Sequence, residues 1–242
     1  MEIKTNTMVG EIVRHNFSTA RIFEANNIDF CCGGNISLSE AAEKEGINTN
    51  KLLTELNSAM QKEDNDSNFI ESLSLAGLCD YIINTHHTYV NEALPFLLQK
   101  LQKLVDVHGE NHPELLEVNT SFRAAAENLS AHMKKEELIL FPNIRLMEKY
   151  RIEGGDRPDN VGLASSAINQ MEAEHQLEGE RFMKISEITK GYVVPPDGCN
   201  TFEVTYKTLE EFEKDLHRHI HLENNVLFPK AIKLEKTIVH NS

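Results

Sequence analysis

No stretch of the sequence approaches the roughly 20 consecutive apolar residues that a membrane-spanning helix requires, which argues against a transmembrane anchor. The opening residues, Met1 to Asn6, also lack the pattern of a secretory signal, so the cytoplasm is the expected compartment. Basic residues are in deficit, with 24 Lys and Arg against 38 Asp and Glu and a formal net charge of −14. That charge repels phosphate backbones and anionic lipid surfaces, and it argues against nucleic-acid and membrane partners. Cysteines number four, and they do not make a disulfide framework: Cys31 and Cys32 are adjacent, while Cys79 and Cys199 stand far apart. Reduced thiols are expected, with Cys79 in a core and Cys199 in a loop, neither with a chemical role. Alternating strand patterns are almost missing too. At 242 residues the chain can bury a core without needing a metal to hold it folded.

What is present is helical. Residues 1–60 alternate short amphipathic stretches with cap and turn residues, and Ser37 and Ser39 are candidate caps for a helix from Leu38 to Lys44. The run Gln61 to Asn68 has no apolar residue, and residues 61–69 are read as a linker between a small helical N-terminal domain, 1–60, and a larger domain, 70–242. Apolar residues recur at helical spacing over about 70–107, 113–149, 162–190 and 201–236, which predicts an all-α fold built around an antiparallel four-helix bundle. The breaks agree, because Gly109 with Pro113, Gly154-Gly155 with Pro158, and Pro195-Pro196 with Gly198 are helix-stop and turn residues. Pro95, Pro142 and Pro229 are expected to kink or end helices.

One motif occurs twice. His132 and Glu136 run on to Leu140-Phe141-Pro142, and His219 and Glu223 run on to Leu227-Phe228-Pro229. Four-residue spacing puts each His and Glu on one helix face, about 6 Å apart along the axis. Both pairs lie on apolar stripes, Ala125, Leu129, His132, Glu136 and Ile139 in one, Phe212, Leu216, His219, Glu223 and Val226 in the other. Two carboxylates at core positions call for either cations or protonation, because a buried unpaired charge is heavily penalised, and metal is the economical answer. The other two bundle helices offer His87, on a stripe with Ile83, Val90 and Leu94, and His175, on a stripe with Ile168, Met171 and Phe182. His87 precedes His132 by 45 residues and His175 precedes His219 by 44, so the bundle reads as two related helical hairpins. Four imidazoles and two carboxylates without thiolate suit iron, manganese or zinc, and two facing carboxylates can bridge two metals.

A single His-x-x-x-Glu pair is most often a feature of a solvated helix; two copies with matching tails shift the balance toward function. His86 is the alternative to His87. His217 and His221 fall about 200° around the helix from His219 and are expected to face away from the centre. His15, His108, His112 and His240 are not expected to be ligands.

The stretch Ile28-Asp29-Phe30-Cys31-Cys32-Gly33-Gly34 resembles the N-terminal domain of the ScdA/YtfE-type iron-sulfur cluster repair di-iron proteins, and the likeness extends through Val107-His108-Gly109, Pro195-Pro196 and Cys199-Asn200-Thr201 to the stretch from His219 to Asn224. The resemblance implies a haemerythrin-like bundle with two iron ions per chain, oxo- or hydroxo-bridged, held by His87, His132, Glu136, His175, His219 and Glu223, with Glu136 and Glu223 as bridging carboxylates. It further implies repair of iron-sulfur clusters damaged by nitrosative or oxidative stress, by supply of iron or electrons, with damaged iron-sulfur proteins and small diatomics such as nitric oxide and oxygen as partners, and homodimer formation. Cys31 and Cys32 are then transfer thiols, expected to be accessible and partly thiolate. The rival readings are a haemerythrin-type oxygen or nitric oxide carrier or sensor and a nitric oxide reductase.

Overall fold

The structure is a computed structural model that describes residues 1–240. The described residues form no β-strand, only an isolated bridge between Met8 and Ser37, and the chain is all-α as its periodicity predicts. It divides into two compact units.

The first unit gathers Met1–Cys79, Ile144–Ser165 and the described residues from Ile220 onward. Its N-terminal part holds α1 (Val9–His15), a 3-10 turn (Phe17–Thr19), α2 (Ala20–Glu24), α3 (Leu38–Lys44), α4 (Thr49–Ala59) and α5 (Asn65–Ser72). These helices are short, so caps and a shared core matter more than propensity. Ser37 does cap α3, in a reciprocal box: its hydroxyl accepts the Glu40 N–H at 3.3 Å while the Glu40 carboxylate accepts the Ser37 N–H at 2.8 Å. Val9, Ile12, Phe23, Phe30, Leu38, Leu52 and Leu56 form the core. The polar run read as a linker is helical from Asn65 on. Asp64 caps that helix and its carboxylate also accepts the Phe17 N–H at 2.7 Å, so a run chosen by polarity alone contains a helix start tied to the preceding elements.

The remaining elements are long runs. The first comprises α6 (Leu75–Ile82), a π turn (Ile83–His87) and α7 (Thr88–His108); the second comprises α8 (Glu114–Lys135), a π turn (Glu136–Leu140) and α9 (Phe141–Glu153). The third is α10 (Ala164–Ile188), and the fourth comprises α11 (Asn200–Leu222), a π turn (Glu223–Leu227) and α12 (Phe228–His240). They match the four predicted segments. Within the first unit, the buried Glu148 carboxylate on α9 accepts the N–H groups of Leu75 and Ala76 at 2.9 and 2.8 Å, capping α6. Glu235 on α12 does the same for α10, accepting from Gly162 and Ala164 at 2.8 Å and from Ser165 at 3.0 Å. Glu148 and Glu235 lie beyond His132 and His219 at the same interval, so the duplication seen in the motif extends to the caps.

The second unit, Asp80–Asn143 with Ser166–His219, is a four-helix bundle. Phe122 of α8, Phe182 of α10 and Phe212 of α11 meet with ring centroids 5.5 to 6.3 Å apart, and Tyr89 of α7 lies 6.2 Å from Phe212. Pro95 lies inside α7 without ending it, and Pro142 and Pro229 end no run either. Both of the latter sit just beyond a π turn. A proline has no N–H to return to the carbonyl four residues back, and the widened turn before it accommodates that loss.

The π turn also corrects the helical phase read from sequence. It holds extra residues relative to an α-helix and rotates the chain beyond it, each residue being worth about 100°. Ile139, expected on the core stripe, is 65% exposed, and Leu140 at 3% takes the inward place.

Candidate metal centre

The second unit brings five of the six predicted ligands together, all buried. One potential ligand atom from each of His87, Glu136 and His219 lies within 4.8 Å of the others, and the same holds for His132, Glu136 and His175. Glu136 belongs to both groups. Its Oε2 lies 3.4 Å from His87 Nε2 and its Oε1 lies 3.3 Å from His132 Nε2, so each oxygen addresses one group. His175 Nε2 lies 2.9 Å from His132 Nε2, and the rings of His87 and His219 have centroids 4.9 Å apart. The sixth residue, Glu223, is buried one turn beyond His219 on the same helical run, with the spacing that Glu136 has from His132. Glu136 and Glu223 each open a π turn, and His87 closes one.

Two outer carboxylates decide which way the imidazoles face. His87 Nδ1 lies 2.7 Å from Glu137, and His132 Nδ1 lies 2.8 Å from Glu174. Burial pushes the Glu174 carboxyl up, but hydrogen bonds from Lys135, His132 and Gln170 outweigh it and hold the group down at about 2. Glu174 is therefore an acceptor, and His132 donates to it through Nδ1–H. With Nδ1 engaged outward, the Nε2 of His132 faces a carboxylate oxygen of Glu136, and His87 is arranged alike. With both imidazoles neutral, acceptor faces acceptor at 3.3 to 3.4 Å and a cation between them relieves the repulsion; neutral imidazole with carboxylate is the donor set that divalent metals take. The residues fit a pair of metal ions.

The chemistry of these outer carboxylates was legible only indirectly. Glu137 follows Glu136 and Glu174 precedes His175, so each lies next to a candidate ligand. A ligating histidine normally gives its other N–H to a carboxylate or carbonyl, which marks such neighbours for inspection.

His86, the alternative to His87, lies outside both groups. It bonds Asp215 at 2.9 Å and stacks on His219 with centroids 5.4 Å apart. His217 is half-buried. His221, expected to face away from the centre, is outside both groups and is buried in the first unit against Phe17 and Phe30, with its Nδ1 3.2 Å from the Asn225 amide. Its outward face is covered by side chains far away in sequence.

Cys31 and Cys32 lie in the first unit, 3.8 Å apart at sulfur. The Asp29 carboxylate accepts the N–H groups of Cys31, Cys32 and Gly33 at 3.0, 2.9 and 2.9 Å, and the Cys31 thiol lies 3.2 Å away from it. Asp29, Cys31 and Cys32 together have the spacing of a metal-ligating group. Cys31 is buried, and its hydrogen bond to Cys32, its burial and the nearby negative charge push its thiol well above the usual range. The expected accessible thiolate is thus not found at Cys31; Cys32 is the half-exposed member. The Asn224 and Asn225 amides bond the Cys31 carbonyl at 3.3 and 3.2 Å, tying this loop to the turn that begins at Glu223. Close approach explains the glycines. A Cβ on Gly34 would stand 2.6 Å from the Phe30 carbonyl, and one on Gly10 would stand 2.1 Å from the Asn225 side chain. Neither glycine has the left-handed conformation that a tight turn would need.

Residues 80–231 match the family described as the Hemerythrin HHE cation binding domain, and residues 5–60 match ScdA_N, described as a domain of unknown function. The iron-sulfur cluster repair protein YtfE of Yersinia pseudotuberculosis serotype IB (strain PB1/+) is 38% identical over 216 residues, 89% of this chain and 91% of the relative. The chain belongs to the ScdA/YtfE iron-sulfur cluster repair family. A second member, ScdA of Staphylococcus haemolyticus (strain JCSC1435), is 31% identical over 228 residues, 94% of this chain and 99% of the relative. The family's haemerythrin-type match spans all six predicted ligands, and its N-terminal match spans the Cys31-Cys32 loop. No described helix is long and apolar enough to cross a membrane.

Proposed function

We propose that this ScdA/YtfE family member holds two iron ions and uses them to restore damaged iron-sulfur clusters. In this reading His87, His132, Glu136, His175, His219 and Glu223 are the residues that would hold the iron. The observation that carries it is the buried nitrogen and oxygen set, with Nε2 of His87 and of His132 3.4 and 3.3 Å from the two oxygens of the buried Glu136. Bound iron would supply redox chemistry, affinity for small diatomics and a source of iron. The chain's own residues set the terms. Glu137 and Glu174 hold the Nδ1 protons and the ring orientations, and the apolar bundle core limits water. Cys31 and Cys32 are proposed as transfer thiols toward the client cluster, with Cys32 the first to meet solvent. The repair activity named for the relatives supports this reading, and so does the thiol loop's attachment beside Glu223.

The test combines metal analysis, Mössbauer spectroscopy and repair of a nitric-oxide-damaged [4Fe–4S] client. About two coupled irons per chain, and repair that falls in a Cys31→Ser, Cys32→Ser variant with unchanged iron spectra, are the expected results. Tightly bound zinc in protein from iron-replete cells would overturn the iron assignment. Undiminished repair by the double variant would remove the thiols from the mechanism.

A further inference from the structure

A second reactive group lies in the bundle unit, at the opposite end from the metal centre. His108 ends α7 and Cys199 immediately precedes α11, twenty-one and twenty residues from His87 and His219, or about 30 Å of helix. His108 Nε2 lies 3.3 Å from Cys199 Sγ. The sulfur also faces the N–H groups of Thr201 and Phe202 in the first turn of α11, so three donors converge on it. The sulfur is exposed.

Both partners are held in place. The His108 ring packs edge-on against the fully buried Phe202 with centroids 5.6 Å apart. Cys199 comes directly after the turn Pro195-Pro196-Asp197-Gly198, closed by the Gly198 N–H bonding the Pro195 carbonyl at 2.8 Å. A Cβ on Gly198 would stand 2.6 Å from Val194 and 2.9 Å from that carbonyl, so the turn requires glycine. His112, the other imidazole on Phe202, is engaged elsewhere, with Nε2 bonded to Asp197 at 3.1 Å and Nδ1 to Glu114 at 3.0 Å. His108 is thus the imidazole committed to the thiol. No other cysteine belongs to this unit, so no resolving thiol within it can displace a group attached to Cys199.

We propose that Cys199, activated by His108 and the N-terminus of α11, is a modification site that takes up a small thiol as a stable mixed disulfide. The Cys199 thiolate attacks one sulfur of a low-molecular-weight disulfide RSSR. A new Cys199–S–SR bond forms as the RS–SR bond breaks, and RS⁻ leaves with the bonding pair and takes a proton from solvent. The proton of the Cys199 thiol goes to solvent. The Cys199 sulfur is oxidised, the leaving sulfur is reduced, and no further oxidant is needed.

The test measures iodoacetamide alkylation at Cys199 by peptide mass spectrometry between pH 6 and 9.5, in the iron-loaded full chain and in His108→Ala. The His108 contact and the two amides hold the thiol down at about 7. Compared with a thiol at an ordinary value of about 8.5, the gain in thiolate outweighs the loss in nucleophilicity at low pH and not at high pH. Because the two amides remain in His108→Ala, these ratios are upper limits: wild type should react up to about 3-fold faster than His108→Ala at pH 7 and up to about 6-fold faster at pH 6, and up to about 4-fold slower at pH 9.5. Crossing profiles support the dyad, whereas parallel profiles overturn it, because a merely structural His108 would change access by one factor at every pH. His108→Gln, which keeps an N–H donor, should fall between the two, and it decides the matter if circular dichroism shows His108→Ala to be unfolded. Hydroxyethyl disulfide at neutral pH should add one mercaptoethanol group at Cys199 of wild type and none in Cys199→Ser. An unmodified Cys199 would overturn the proposal.

Discussion

Replacing Glu136 by leucine separates the cost of the centre from its use. The Glu136 side chain is fully buried, with His87 and His132 at 3.4 and 3.3 Å from its oxygens. Without metal a carboxylate held here out of water is costly, and leucine has a similar volume with nothing to desolvate. Replacing such buried ionic groups by packed apolar residues ranges from neutral to about 4 kcal/mol stabilising. At about 2–4 °C per kcal/mol for a chain of this size, the metal-free variant should melt level with wild type or up to about 8–16 °C above it. Metal reverses the advantage. Free iron at about 100 times its dissociation constant adds about 2.7 kcal/mol per site to whatever binds it only when folded, or about 5–11 °C. Wild type should show that rise and Glu136→Leu should not. The assay is anaerobic thermal melting by circular dichroism, with and without iron(II), alongside iron content. An equal iron-dependent rise in both proteins would refute the assignment of Glu136. A metal-free variant that melts well below wild type would refute the energetic argument.

Glu137→Gln and Glu174→Gln should leave helicity intact while weakening metal binding about 10- to 100-fold, because each withdraws the carboxylate that fixes a histidine's Nδ1 proton; competitive metal titration reads this, and unchanged affinity in both would remove them as positioning residues. Burial raises the Glu235 carboxyl, but hydrogen bonds from Ser165, Ala164 and Gly162 bring it below its usual 4.5, so its contribution is present above that value and lost as pH falls through the lower folded one. Glu235→Gln should cost about 0.5–2 kcal/mol at pH 7 in urea unfolding, with the gap to wild type narrowing below about pH 4.5; a gap that stays constant down to pH 3 would contradict the ionised cap.

The four long runs were legible because their apolar stripes repeat at helical spacing, and the centre was legible because it occurs twice. Duplication separated His132 with Glu136, and His219 with Glu223, from the many His-Glu pairs that lie on solvated helices. The interval between hairpins favoured His87 over His86, and the structure groups His87 with Glu136 and His219. What failed did so for identifiable physical reasons. Ile139 was misplaced because a constant 3.6-residue period cannot anticipate a π turn. His221 and Cys31 are buried by contacts between segments about 190 residues apart, which no local pattern encodes. Asp64 and Asn65 read as linker because a cap residue and a polar first turn look like loop until the residues that receive them are known.

The three π turns make this centre intolerant of length change. A surface loop absorbs an inserted or deleted residue by rearranging, whereas each of these turns already carries its surplus inside a helix, beside His87, Glu136 or Glu223. Losing one residue there would straighten the run and swing everything beyond it by about 100°, taking the following prolines and core residues with it. Substitution can tune the centre one side chain at a time, while the spacing between ligand and proline is locked, so divergence in this fold is channelled into residue identity at the turns and into length only between the helices.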